Sequence, residues 1–214
     1  MNKKIKVISF DLDGTLVKSS YADAVWLDGL PKLFAQERNL SLQQAKDFLF
    51  SEYEAVGPDR KEWYDIEWWF HKFQLERSWK SLLKSYKHSI ELFPETRPTL
   101  EQLGAAYTLI CFSNAKQEFI DIQLREIHID HFFEHTFSSL TDFNAVKKDS
   151  TTYVKICKNL HIAPGEMVHI GDNWKYDFIS PQKIGVHSYF LNREKDKNGK
   201  HILHSLSEIL PFLH

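Results

Sequence analysis

Two carboxylates stand two residues apart in Asp11-Leu-Asp-Gly-Thr15, directly after the apolar run 5–10. If that run is a strand, its alternation turns Asp11 and Asp13 to the same side. Gly14 then lets the chain turn away, which a residue without a Cβ does freely. Carboxylates this close repel unless a proton or a cation sits between them. A hard divalent ion would take one oxygen and leave the other carboxylate free to act as acid or base. A second acidic pair comes much later, where Gly171-Asp172-Asn173 follows the apolar run 166–170 and Asp177 lies in the next helical turn. Asp172 is placed to share the ion beside Asp11, and Asp177 to orient the loop from behind. Ser113 and Asn114 end the run 107–112, and a hydroxyl with backbone N–H groups at a strand-to-helix junction suits an anionic oxygen. Lys147 and Lys148 precede Asp149-Ser150 and a helical pattern, where a lysine reaches a phosphate as a point charge. Taken singly, these are turn aspartates, an ordinary serine N-cap and a solvated lysine pair. Taken together, they describe one site that handles a metal ion and a phosphate.

The elements that must position these groups are legible as apolar, β-branched or aromatic runs. Buried parallel strands are expected at 5–10, 107–112, 166–170 and 186–191, with a weaker one at 134–138. Helical patterns at 115–127, 150–160 and 176–184 alternate with them. Such alternation implies right-handed crossovers and an α/β fold, a doubly wound parallel sheet covered on both faces. Ligands of such sheets bind at the carboxyl ends of the strands, where all the groups above fall. Segment 19–93 breaks the rhythm and contains no strand pattern. Ser41-Leu-Gln-Gln44 has capping-box spacing, Gly57-Pro58 marks a turn, Asp59-Arg-Lys-Glu62 offers a second start, and Ser78 opens a helix ending before Pro94. The expected organisation is therefore a catalytic core of 1–18 and 94–214, with an all-helical insertion of about four helices at 19–93. The charged stretch 193–200 reads as a solvated connection, although it follows a strand end and could border a site, and His201 and His204 read as surface residues of a final helix.

Composition narrows the class. The 214 residues carry 27 basic and 29 acidic side chains, a net charge of −2, so neither sign dominates as nucleic acid or an anionic membrane would require. Hydrophobic residues make up 43%, enough for a large core without staples. The two cysteines, Cys111 and Cys157, do not form a disulfide scaffold and fit a reducing compartment. The N-terminal apolar stretch is too short for a signal peptide, and no run approaches a membrane span. A cytoplasmic protein without nucleic-acid or membrane partners is expected.

At this point the chain resembles the haloacid-dehalogenase-like hydrolase superfamily, over about residues 4–18 and 94–192. Its first motif, aspartate-x-aspartate-glycine-threonine, is matched by Asp11 to Thr15, its serine or threonine by Ser113, and its glycine-aspartate with a further aspartate by Gly171-Asp172 and Asp177. Register gives its lysine to Lys147 rather than Lys148, although Lys147-Lys-Asp-Ser150 replaces the usual lysine-proline-aspartate-proline. Ser180-Pro181 stands where members often have glycine-alanine. The resemblance implies a Rossmann-like three-layer core with a helical cap at 19–93. It implies Asp11 as nucleophile, forming an aspartyl-phosphate, and Asp13 as acid, then base. Ser113, Asn114 and Lys147 would hold the phosphoryl group, and Asp11, the Asp13 backbone carbonyl and Asp172 would hold Mg²⁺. The substrate would be a small phosphorylated metabolite.

Other readings are weaker. Asp13 argues against carbon–halogen hydrolysis, since the dehalogenases resembled here lack that carboxylate. A phosphomutase shares the core. Phosphonate hydrolysis would need a cap lysine, such as Lys18, Lys32 or Lys61, to form a Schiff base. A receiver would carry its phosphorylated aspartate after a middle strand, and a catalytically dead binding module would have lost part of the set. His128, His131 and His135 are set aside as surface or half-buried histidines, and His169 as a satisfied core residue. Trp63, Tyr64, Trp68, Trp69 and Trp79 are expected mainly to build the insertion's own core.

Overall fold

The structure is a computed structural model describing residues 4–146 and 148–213. Its centre is a six-stranded, all-parallel sheet in the order β3-β2-β1-β4-β5-β6. Strand β1 (Val7–Phe10) leads into a helical segment: α1 (Ser20–Asp23), a π-helical stretch (Ala24–Gly29), α2 (Leu30–Arg38), α3 (Leu42–Val56), α4 (Ile66–Lys72) and α5 (Trp79–Ser85). Pro31 accounts for the π stretch, because it has no N–H to continue the i→i−4 ladder behind it. Ser41 forms the expected capping box with Gln44. The start expected near Asp59 yields only a single 3₁₀ turn, Lys61–Tyr64, and Asp65 caps α4 instead by accepting from Glu67 N at 3.2 Å.

The chain then alternates: α6 (Thr96–Gly104), β2 (Thr108–Ser113), α7 (Gln117–Glu126), β3 (His135–Ser138), α8 (Ser139–Phe143), α9 (Ser150–Asn159), β4 (Met167–Gly171), a π stretch (Trp174–Ile179), α10 (Ser180–Gln182) and β5 (His187–Leu191). Helix α6 was not anticipated. Its Pro98 sits in the first turn, where a missing N–H costs nothing. The expected final helix is corrected too: β6 (Ile202–Leu203) adds a sixth strand, followed by a 3₁₀ stretch, Leu206–Phe212.

Alternation along β1 sends Ile8 and Phe10 to one face, where they pack with Leu100, Ile120 and Leu206. Val7 goes to the other, against Ile110, Phe112, Tyr153 and Ile156. The helical segment packs separately around Tyr21, Leu49, Trp69 and Phe70, touching the rest mainly through Phe119 of α7. Its two links run side by side. Val17 and Leu92 form an antiparallel bridge, Lys18 N donates to Glu91 O at 2.9 Å, and Phe93 N to Leu16 O at 3.3 Å.

Candidate active site

Strand order reverses between β1 and β4, and a cleft opens at their carboxyl ends, as open α/β sheets dictate. Asp11 continues the ladder, donating its N–H to Ile170 O at 2.9 Å, before the chain folds back through Leu16 N to Leu12 O at 2.9 Å. Gly14 has φ +81°, and a Cβ there would lie 2.1 Å from Asp172 Oδ2. At Gly171 a Cβ would lie 2.4 Å from Asp177 Cγ. Both glycines are therefore dictated by carboxylates packed against their backbones.

Lys148, 1% exposed, fills the centre. Its Nζ bonds to Asp11 Oδ1, to Asp177 Oδ1 at 2.5 Å and to Phe112 O at 3.3 Å. The Asn114 side-chain oxygen fixes this loop, accepting from Lys148 N at 2.8 Å and Ser139 Oγ at 3.1 Å. Register favoured Lys147, which lies outside the described residues; among those described, Lys148 is the lysine that reaches Asp11. Asn114 lines the cleft, yet its oxygen is committed to the loop. Ser113 also lines it, with Oγ accepting from Ala115 N at 3.2 Å.

Behind the lysine runs a buried polar chain. His169 Nε2 lies 3.2 Å from Asp177 Oδ1, and its Nδ1 lies 2.8 Å from Ser9 Oγ. The expected core histidine is thus tied to the site through Asp177. The other Asp177 oxygen accepts from Asn173 N at 2.9 Å.

Burial opposes the Asp177 charge, but Lys148 and then His169 outweigh it and hold the carboxyl at about 2. The other carboxylates are less well served. Burial pushes Asp11 up to about 6 despite Lys148. Burial and then the Asp11 charge raise Asp13 to about 7. Asp172 keeps an exposed edge at the cleft mouth, yet loss of water around its carboxyl, followed by repulsion from Asp11 and Asp177, raises it to about 8. One lysine does not balance four carboxylates, and a cation among them would relieve the strain.

Oxygens of Asp11, Asp172 and Asp177 lie within 4.8 Å of one another, the one such convergence of three potential metal ligands among the described residues. This all-oxygen set suits a hard divalent ion. Asp177 is already saturated by Lys148, His169 and Asn173, which leaves Asp11 and Asp172 with free capacity. The Asp13 side chain does not join the cluster. Its Oδ1 forms no hydrogen bond of full geometry, but the buried amide of Gln123 lies close enough to favour its charged form, against the larger effect of burial.

Thr15, read as the last residue of the first motif, donates from Oγ1 to Asp11 Oδ2 at 3.3 Å. Gln123 was not read from the sequence. Arg193, at the start of the charged loop after β5, donates to Gly14 O at 3.0 Å and Thr15 O at 2.7 Å, pairs with Glu95 at 2.7 Å and lies 3.4 Å over the Phe93 ring. The strand end hints at this position, but nothing in the charged run singles out Arg193. The lysines considered for Schiff-base chemistry bond elsewhere, Lys18 to Glu91, Lys32 to Asp28 and Lys61 to Asn144, and do not line the cleft.

The cleft holds about 340 Å³, with Asp11, Asp13, Ser113, Lys148 and Asp172 below and the helical segment above. A family model described as haloacid dehalogenase-like hydrolase matches residues 5–185. A phosphoglycolate phosphatase of Aliivibrio fischeri is 28% identical over 204 residues, covering 89% of this chain and 86% of its own. A glyceraldehyde 3-phosphate phosphatase of Pyrococcus furiosus is 25% identical, covering 90% and 83%. Among solved structures, a HAD phosphatase from Thermococcus onnurineus superposes with a TM-score of 0.85 at 24% identity, covering 98% of both chains.

Proposed function

Because this chain belongs to the haloacid dehalogenase-like hydrolase family, we propose that it is a phosphatase that hydrolyses a small phosphorylated metabolite through an aspartyl-phosphate on Asp11, with Mg²⁺ bound. The observation that carries this reading is Lys148, buried and held between Asp11 and Asp177, beside a second carboxyl, Asp13, that burial raises to about 7.

Asp11 attacks phosphorus in line, and the ester oxygen leaves with the proton of Asp13. Held at about 7, Asp13 is a competent acid near neutral pH and, once ionised, a competent base. It then takes a proton from the water that attacks the aspartyl-phosphate, which releases phosphate and restores Asp11. Lys148 offsets the charge of the transferring group, and the saturated Asp177 keeps it aimed. Ser113 donates to a phosphoryl oxygen. Asp11, Asp172 and the Asp13 backbone carbonyl would hold Mg²⁺, which would supply the charge that lets a carboxylate approach a phosphate dianion. The unpaired carboxylates support that assignment.

Residues 19–93 act as a cap on a core of 1–18 and 94–214. The paired links at Val17 and Leu92 support this, since such a stem lets the segment rock over the cleft. The setting is cytoplasmic; no helix among the described residues is long and apolar enough to cross a membrane.

Release of inorganic phosphate from phosphorylated metabolites tests the reading. Folded Asp11→Asn protein should have no turnover, because an amide cannot form the acyl-phosphate. Undiminished activity in that variant rejects it. Transfer of the phosphoryl group to a second hydroxyl, without phosphate release, would identify a mutase instead.

A further inference from the structure

Among the described residues, the wall above the phosphoryl site is aromatic and carries no uncommitted positive charge. Trp26 stacks on Phe119 with centroids 6.1 Å apart and planes 6° from parallel. Tyr53 meets Trp26 edge-on at 6.0 Å and Trp63 at 6.3 Å, and its hydroxyl donates to Trp26 O at 3.3 Å. All four line the cleft. A rigid aromatic wall of this kind offers faces and edges to a planar ring.

The charges on the same side disfavour an anion. Lys116 is the lining cation outside the phosphoryl site, and its Nζ is committed to Asp65 at 2.9 Å and Glu67 at 2.8 Å. That cluster is net negative. Asp23, also lining the cleft, adds another carboxylate, whose hydroxyl partner Ser19 at 2.8 Å brings no charge. A carboxylate on the leaving group would meet repulsion and, among the described residues, no free cation. The volume, about 340 Å³, is near the lower end of the ~300–1,000 Å³ typical of ligand sites, which suits one ring and its phosphate.

We infer that the substrate is a phosphomonoester whose leaving alcohol carries an aromatic ring and no carboxylate. This rests on the phosphatase reading above and narrows it away from phosphorylated acids.

The test compares kcat/KM for benzyl phosphate, ethyl phosphate and phosphoglycolate, all alkyl esters, so that leaving-group reactivity does not decide the order. Benzyl phosphate should exceed each of the others by about tenfold, the scale of one buried, stacked ring. Trp26→Ala should lower the benzyl-to-ethyl ratio by about tenfold, and Trp63→Leu should lower it as well. Ratios cancel any loss of folded protein. Asp23→Asn should raise the phosphoglycolate-to-ethyl ratio by about threefold. A benzyl-to-ethyl ratio of one or less, or one that neither aromatic variant moves, overturns the inference. So does a preference for phosphoglycolate that Lys116→Met abolishes, because Lys116 would then be reading a carboxylate. Phosphate release that vanishes in Asp11→Asn tests the underlying reading separately. If no ester is cleaved in that Asp11-dependent way, the phosphatase reading falls and takes this inference with it.

Discussion

Lys148→Met keeps most of the length of the side chain and removes its charge together with its hydrogen bonds to Asp11, Asp177 and Phe112 O. In the native protein the lysine is 1% exposed, and the side chains it joins are 9% exposed for Asp11 and 0% for Asp177. Lowering Asp177 from 3.8 to about 2 alone corresponds to about 2 kcal/mol at neutral pH. Removing one partner of a buried pair costs about 3–5 kcal/mol, because the remaining charge is stranded. The variant should therefore lose about 3–5 kcal/mol at pH 8 in the presence of a chelator. The loss must depend on pH. With no lysine, Asp11 and Asp177 hold folded pKa values above their unfolded ones. Their contribution is then fully present below about 3.8 and is lost as pH rises through the folded values. Lowering pH below those values returns about 1.4 kcal/mol per unit for each proton taken up, so the deficit at pH 5 should shrink to about 1–2 kcal/mol. Urea unfolding at pH 5, 6.5 and 8 measures this without the screening that guanidinium salt adds. A deficit below about 1 kcal/mol at pH 8, or an equal deficit at pH 5, would refute the claim that Lys148 neutralises two buried carboxylates.

Metal-free protein should lose thermal stability between pH 5 and pH 8.5, since Asp11, Asp13 and Asp172 all have raised folded pKa values, at about 6, 7 and 8. Mg²⁺ should raise Tm more at pH 8.5 than at pH 5, and an equal shift at both would count against ion binding by these carboxylates. Asp13→Asn should slow an alkyl ester by about 10²–10⁴-fold and an aryl ester by less, as acid catalysis matters least for a good leaving group; equal losses would remove Asp13 from the acid role. Gln123→Leu should raise the Asp13 pKa further, because the amide that favours its charged form is lost, and should move the alkaline limb of the kcat/KM profile for alkyl esters upward. An unshifted profile would show that Gln123 does not act on Asp13.

The strands and the groups at their ends were legible because both signals are local. A buried parallel strand is a short apolar run, and Asp11, Asp13, Ser113 and Asp172 each follow one directly. The lysine was ambiguous because it follows no strand. Asn144 adopts the left-handed conformation, at φ 47°, and residues 144–146, 148 and 149 belong to no helix or strand. No periodicity announces that Lys148 turns inward. That depends on Asn114, more than thirty residues away, which holds Lys148 N. Gln123 escaped notice because a polar residue on the buried face of a helix reads as an interruption of the pattern. Strand β6 has two residues flanked by histidines, too short for any alternation to register. Most aromatics of the insertion were expected to form its core, with one or two facing the site; Trp69 is in that core, while Trp63 and Tyr64 line the cleft. Facing depends on how two bodies dock, which composition does not encode.

The position of β1 in the sheet has a consequence for synthesis. The strand bearing Asp11 leaves the ribosome first, yet it lies between β2 and β4 and pairs with both. Those partners follow roughly 100 and 160 residues later, a delay of about 5–20 s for β2 alone at ordinary elongation rates. Throughout it, Val-Ile-Ser-Phe exposes an unpaired apolar edge of the kind that aggregates. The helical segment emerges meanwhile and has local contacts enough to collapse early, which shortens the effective loop that β1 must close. Only when β4 arrives do Asp172 and Asp177 reach Asp11 and Lys148. The site thus cannot assemble until late in synthesis, and nascent chains truncated before β4 should depend on chaperones while remaining inert.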